Sequence, residues 1–336
     1  MSKLLVIIGI TGNQGGSVAA RFLADSTYRI RGLTRDPGSA KALALTAQGV
    51  EMVRADLDDV STLAAAFAGA SLIFSVTDYW APFFDPAHAA RAADLGLSRR
   101  AWAGRVEAQR GRNVADAAAG AVGSLAGCGL VASTLSRAAG TAGLEELYHF
   151  DAKAEVFPAY VDEKYPELAA RMACVQTGFF TSSYKLLPHA YFGKAADGAF
   201  EMRFPTDPDA PVPHLDVNGD MGSFVYAVSK LPPGKSYMAE GTTCSWSEYV
   251  TLWSSITGQP ARYKQVSLQQ MIEETPDKEF GREVGDMFLY CSDPGYDGGD
   301  ETLLKAADIR KLGIECPMTS LEDWMRKEDW SAVISK

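Results

Sequence analysis

A run of apolar residues, Leu4-Leu5-Val6-Ile7-Ile8, stops at a glycine-rich turn, and that junction constrains the chain more than any other feature. The run carries no charge and no polar alternation, as a strand buried on both faces would. The turn reads Gly9-Ile10-Thr11-Gly12-Asn13-Gln14-Gly15-Gly16, and Ser17-Val18-Ala19-Ala20-Arg21-Phe22-Leu23 after it has helical character. Strand, glycine turn and helix in this order match the first unit of a dinucleotide-binding parallel sheet. The glycines fall at 9, 12 and 15, one residue longer in the first gap than G-x-G-x-x-G. Gly9 can make the tight turn, Gly12 can let backbone approach a pyrophosphate, and Gly15 can let the helix pack on the strand. The helix N-terminus would then hold the phosphates through open N–H groups and its dipole. Gly9, Thr11, Gly12, Asn13, Gln14 and Gly15 are therefore candidate cofactor-binding residues. An ordinary βα turn can also use such glycines; the position between a clean strand and a clean helix favours the nucleotide.

The second strand, about residues 29–33, runs into Thr34-Arg35-Asp36-Pro37, with Lys41 one turn on. An acid at this place binds the ribose of NAD, whereas an arginine accommodates the 2′-phosphate of NADP. Thr34 and Arg35 can donate to a phosphate, Lys41 adds charge, and Asp36 falls one residue late. The expected cofactor is NADP(H). A third strand at 50–54 leads into Ala55-Asp56-Leu57-Asp58-Asp59, where Asp56 and Leu57 would lie beside adenine. The same acids can cap the next helix. A fourth strand at 71–76 ends in Thr77-Asp78-Tyr79-Trp80, and ligands in open α/β sheets sit beyond such carboxyl ends. Thr77, Asp78 and Tyr79 join the candidate cofactor residues.

Residues 83–127 are rich in Ala and Arg and read as helix, with 87–104 as an insertion and 105–119 as a layer helix. A fifth strand at 129–135, a helix starting at Tyr148 and a sixth strand at 172–176 follow. Beyond them the alternation breaks down. A turn-rich stretch lies at 205–211, helices at 216–229 and 245–257, and a glycine- and acid-rich loop at 293–300. The expected fold is α/β, a Rossmann-type doubly wound parallel sheet with a smaller mixed α/β C-terminal lobe. Residues 1–176 would form the NADP(H)-binding domain and 177–336 the substrate lobe, some segments returning to the sheet.

With 47% apolar and 22% charged residues, the chain can bury a sizeable core. A net charge of −10 argues against non-specific nucleic-acid binding. No apolar run reaches the roughly 18 residues of a membrane span, and Met1-Ser2-Lys3 leaves no room for a signal peptide before the first strand. A cytoplasmic protein with no membrane partner is expected. Cys128, Cys174, Cys244, Cys291 and Cys316 are scattered, without C-x-x-C, and read as reduced thiols with no disulfide and no metal site.

The chain resembles the NmrA-like family, an atypical branch of the extended short-chain dehydrogenase/reductases. The resemblance rests on Gly9-Ile10-Thr11-Gly12-Asn13-Gln14-Gly15-Gly16, on Leu33-Thr34-Arg35-Asp36-Pro37, and on Ala55-Asp56-Leu57-Asp58-Asp59. It continues in Gly111-Arg112-Asn113-Val114, in His149-Phe150-Asp151-Ala152-Lys153, and in Val212-Pro213-His214-Leu215-Asp216-Val217-Asn218-Gly219-Asp220. It implies an NADP(H)-binding Rossmann domain in either a redox-sensing regulator or a small-molecule reductase. Ordinary members of the wider group use Tyr-x-x-x-Lys; here His149 and Lys153 hold that spacing, on one helical face. The resemblance implies that Lys153 binds the nicotinamide ribose. Histidine can act as a general acid near neutral pH, so His149 and Lys153 are the candidate catalytic pair; the alternative for His149 is packing at the helix start. Tyr148 points away from that face. A hydroxyl at Ser133 or Thr134 could polarise a carbonyl, although Thr134 reads better as a packing residue.

Two functions follow. One is an NADPH-dependent reductase of a small aromatic or heterocyclic substrate, with Phe179, Phe180, Tyr184, Tyr191, Phe192 and Trp246 available to line a pocket or to fill a core. The other is a non-catalytic NADP(H) sensor, which alone would require a protein partner.

Overall fold

A computed structural model of the chain describes residues 2–141, 143, 144 and 146–335. Met1, Ala142, Glu145 and Lys336 lie outside the described residues, so the sequence readings that include them stand there only for their neighbours. The first half alternates strand and helix: β1 (Lys3–Ile7), α1 (Asn13–Leu23), β2 (Tyr28–Thr34), α2 (Ala40–Ala47), β3 (Glu51–Arg54), α3 (Val60–Phe67) and β4 (Leu72–Ser75). Three helices follow, α4 (Trp80–Phe84), α5 (Pro86–Asp94) and α6 (Arg99–Gly120), then β5 (Leu130–Thr134), α7 (Tyr148–Ala154) and β6 (Met172–Thr177).

Later strands are β7 (Phe179–Phe180), β8 (Gly193–Lys194), β9 (Phe200–Phe204), β10 (Val212–Leu215), β11 (Ser236–Ala239), β12 (Thr242–Cys244) and β13 (Ala261–Gln265). The main sheet has seven strands in the order β3-β2-β1-β4-β5-β6-β11, every pair parallel. The chain crosses from one side of β1 to the other between β3 and β4, which places the switch point at the glycine turn. In β1, Leu5 and Ile7 join one buried cluster while Leu4 and Val6 join the cluster on the opposite face. That double burial is the reason for the unbroken apolar run.

The C-terminal half contributes two pieces to this sheet layer. β11 pairs with β6 as the edge strand. The helix Val217–Val228, capped by Asp216, packs on α1 so closely that a Cβ on Gly222 would stand 2.1 Å from the Ser17 carbonyl oxygen. The remainder forms two mixed three-stranded sheets, β12-β10-β7 and β13-β9-β8, with the helices Trp246–Thr257 and Lys278–Tyr290.

One expectation is corrected and one alternative decided. The boundary expected between 104 and 105 is absent; α5 covers 86–94, and α6 runs from its Ser98 cap across 104–105 to Gly120. Gly104 and Gly111 do not break it, because they make room for α7 and the residues after it. A Cβ at either would come within 3.1 Å of Tyr148 or Val156. Of the six aromatic residues that could line a pocket or fill a core, five fill the core. Phe179, Tyr184, Tyr191, Phe192 and Trp246 are buried in one aromatic cluster, where Phe204 and Phe288 also stack at 3.9 Å. Phe180 is only partly buried and packs against the sheet-side cluster.

Candidate functional site

The backbone turns between β1 and α1 with Gly9 at φ +64°, and the Gly12 N–H donates to the Gly9 carbonyl at 2.9 Å. Gly12 is the N-cap of α1, and no side chain caps this helix, so its first-turn N–H groups have no side-chain acceptor. Gly15 is fixed by packing: a Cβ there would lie 2.3 Å from the Gly9 oxygen. Gly9, Gly12 and Asn13 are exposed, while Gln14 Oε1 is buried without a partner. An open, uncapped helix N-terminus at an exposed glycine turn fits a phosphate group; the Gln14 amide oxygen, an acceptor, calls for a donor instead.

On one side of this turn lies the end of β2. Arg35 is exposed. Lys41 reaches back from α2, its Nζ 3.2 Å from the Thr11 carbonyl oxygen, which sets its charge beside the turn. Asp36 is occupied locally, accepting from the Gly38 N–H at 2.9 Å, while its own N–H donates to Thr34 Oγ1. Asp56 likewise folds onto its own loop, accepting from the Asp58 N–H at 3.0 Å. Asn113 of α6 donates to the Leu57 carbonyl at 2.7 Å, and Arg110 forks onto Asp58 at 2.9 and 2.7 Å. The Arg110 hydrogen bonds hold the Asp58 carboxyl below its ordinary range. Asp59, not Asp56, caps α3.

On the other side lies the end of β4. A Cβ on Gly9 would touch Val76 at 3.0 Å, so the segment leading to Thr77 lies against the glycine turn. Thr77 Oγ1 donates to Glu107 Oε1 at 2.8 Å, and the Lys153 ammonium pairs with that same oxygen. Lys153 Nζ also lies 3.5 Å from the His149 carbonyl oxygen. Asp78 accepts from the Trp80 and Ala81 N–H groups at 2.9 and 3.3 Å, at the start of α4. Tyr79 does not face a ligand. Its ring is buried between Phe83 and His149, and its hydroxyl donates to the Arg100 carbonyl at 3.2 Å. Burial pushes its phenol far up.

His149 is gripped from the C-terminal lobe. Its Nδ1 lies 2.7 Å from Glu283 Oε1, and its backbone N–H donates to that oxygen at 2.9 Å. Glu283 is fully buried and takes Arg100 Nε on its other oxygen at 2.7 Å; Arg100 also reaches Asp286 at 3.0 Å. Burial would push the Glu283 carboxyl up, but the hydrogen bond and charge of His149 and the Arg100 guanidinium outweigh it and hold it below its ordinary value. The ring of Trp80 lies 5.2 Å from that of His149, and the exposed Phe84 stacks on Trp80 at 6.0 Å. His149 thus sits under an aromatic rim. Tyr148 turns away onto Gly104, and Thr134 donates to the Phe157 carbonyl at 2.8 Å, a packing role. Among the described residues no group of His, Cys, Asp or Glu could hold a metal.

Glu107, Arg110, Glu283 and Arg100 were missed at the sequence level. The first two lie on α6 one helical turn apart, a spacing that could have marked an inward-facing charged stripe. Glu283 and Arg100 carry no such signal, being brought together from distant segments.

A parallel sheet wound 3-2-1-4-5-6, with an uncapped helix at its switch point, defines a dinucleotide-binding α/β fold. The chain belongs to the NmrA-like family, whose family model matches residues 1–325. It is similar to the NmrA-like family domain-containing oxidoreductase cpsB of Aspergillus campestris, 28% identical over 97% of both chains. Among solved structures it resembles NmrA, a negative transcriptional regulator, in complex with NADP, at TM-score 0.71 and 20% identity over 97% of this chain and 95% of that one. It also resembles the NADPH-dependent quinone oxidoreductase QOR2 of Escherichia coli, complexed with NADPH, at TM-score 0.66 and 19% identity over 96% and 98%. At these identities the structural likeness is one of fold.

Proposed function

We propose that the protein is a reductase that uses NADPH to reduce a small aromatic or heterocyclic molecule. The observation that carries this reading is the His149–Glu283 contact of 2.7 Å, one helical turn from Lys153 and under the Trp80 ring. The names of cpsB and QOR2, both oxidoreductases, support the class.

The open N-terminus of α1 would hold the pyrophosphate, Arg35 and Lys41 the 2′-phosphate, and Thr77 and Lys153 would line the nicotinamide half. Bound there, the dihydronicotinamide supplies a hydride. The chain supplies position and a proton. Glu283 accepts the Nδ1 proton of His149 and fixes the ring, while Nε2 makes no hydrogen bond among the described residues. An imidazolium beside the Glu283 carboxylate is charge-balanced, and its Nε2 proton can pass to the substrate. Hydride and proton together saturate one double bond. The Trp80–Phe84 rim would stack a flat substrate.

One observation favours a non-catalytic NADP(H) sensor: His149 is only 5% exposed, so a substrate must displace part of the rim to reach it. Incubating the protein with NADPH and a panel of carbonyls, imines and enones decides between the two. Substrate-dependent loss of NADPH absorbance supports the reductase; tight NADPH binding without oxidation by any of them supports the sensor.

A further inference from the structure

Glu107 is 1% exposed, and its two carboxylate oxygens are treated unequally. Oε1 takes both the Thr77 hydroxyl and the Lys153 ammonium. Oε2 is buried and has no partner. A buried anionic oxygen left unpaired is costly, and native interiors seldom tolerate one. The missing partner must be a donor, because the oxygen is an acceptor only. Lys153 neutralises the charge of the group but does not satisfy this atom.

The position of the group narrows the donor. Val76 packs against Gly9, so the Thr77–Glu107–Lys153 cluster begins next to the phosphate turn. β4 is the neighbour of β1 on the side away from β2, where Arg35 and Lys41 mark the adenosine half. A dinucleotide laid across the switch point therefore passes its second ribose over β4. A ribose offers hydroxyl donors at that point, and a hydroxyl to a carboxylate makes a short, charge-assisted bond.

We propose that Glu107 is a cofactor-binding residue whose Oε2 accepts a hydroxyl of the nicotinamide ribose, with Lys153 and Thr77 holding the carboxylate in place through Oε1. This rests on the NADP(H) reading above. It gives Lys153 a different partner from the ribose alone: the lysine fixes the acceptor as well as lining the site.

The test is calorimetric and needs no turnover. Parent protein and Glu107→Gln are titrated with NADP⁺ and with adenosine 2′,5′-bisphosphate, which carries the adenosine half without the nicotinamide ribose. The expected result is a loss of about tenfold or more for NADP⁺ in the variant with the bisphosphate unchanged. Equal NADP⁺ affinity in parent and variant overturns the proposal, as does a parallel loss for both ligands, which would report a structural effect. Should Glu107→Gln not fold, the parent alone decides, titrated with NADP⁺ and with an analogue whose nicotinamide ribose lacks its hydroxyls; equal affinities overturn the proposal. A parent that binds neither NADP⁺ nor the bisphosphate overturns the cofactor reading itself, a distinct result.

Discussion

His149 Nδ1 lies 2.7 Å from Glu283 Oε1, a carboxylate 134 residues further along the chain. The contact joins the helix that carries Lys153 to the lobe beyond the sheet. It gives a residue at the proton-donor spacing a fixed ring and an opposite charge.

If His149 delivers the proton, His149→Phe should slow turnover by about 10²–10⁴ while NADPH affinity stays near the parent value, the usual share of general acid–base catalysis. Glu283→Gln should fall between the two, because the amide keeps the shape but loses the charge. Full activity of His149→Phe with a neutral carbonyl substrate would remove the proton-donor role and leave the histidine as packing.

Cofactor preference should reside at the end of β2. Arg35→Ala should weaken NADPH by about 1.5–3 kcal/mol, the range for a hydrogen bond to a charged group, and leave NADH nearly unchanged. Titration of the parent with both cofactors is the control, and equal affinities there would contradict the assignment.

The glycines of the turn should separate binding from folding. Gly12 is exposed, and a Cβ there would sit 3.3 Å from the Gly9 oxygen, so Gly12→Val should fold and lose NADPH binding. Gly15→Ala forces a Cβ to 2.3 Å from backbone, and should lower the melting temperature as well. Circular dichroism melts alongside binding titrations distinguish the two effects.

Arg100 should be a keystone of lobe docking. Its side chain is 12% exposed and its partners Glu283 and Asp286 are almost fully buried; Arg100→Met leaves Glu283 to His149 and Asp286 to Arg282, and should cost about 1.5–3 kcal/mol in urea unfolding at pH 7, the range for hydrogen bonds to charged groups. The Glu283 carboxyl is held below its ordinary value, so its contribution is present above the unfolded carboxylate range of about 4.3 and is lost as pH falls through the depressed value. Burial pushes Asp286 up, which works in the opposite sense and moderates the acid loss. Arg100→Met should therefore lose more stability at pH 7 than at pH 3. An equal loss at both would mean that packing, not charge, carries the contact.

The sequence alone determined the first six strands of the sheet and the glycine turn; the edge strand β11 was not legible in it. Both are written in local patterns: an apolar run for double burial, glycines where a side chain would meet backbone, and a helix period directly after. It also placed His149 and Lys153 on one face, since four residues make about one helical turn. What surrounds that face was decided by tertiary structure. Tyr79 follows two residues read with it as a cofactor contact, yet it is buried, packed with Phe83 and His149 at the start of α4. The aromatic residues of the C-terminal lobe could have lined a pocket or filled a core, and only their mutual packing chose the core. Glu283, Arg100 and Glu107 look like ordinary surface charges in the sequence. They are buried because the folded chain brings opposite charges together at distances short enough to offset desolvation, and that sum depends on segments no local pattern connects.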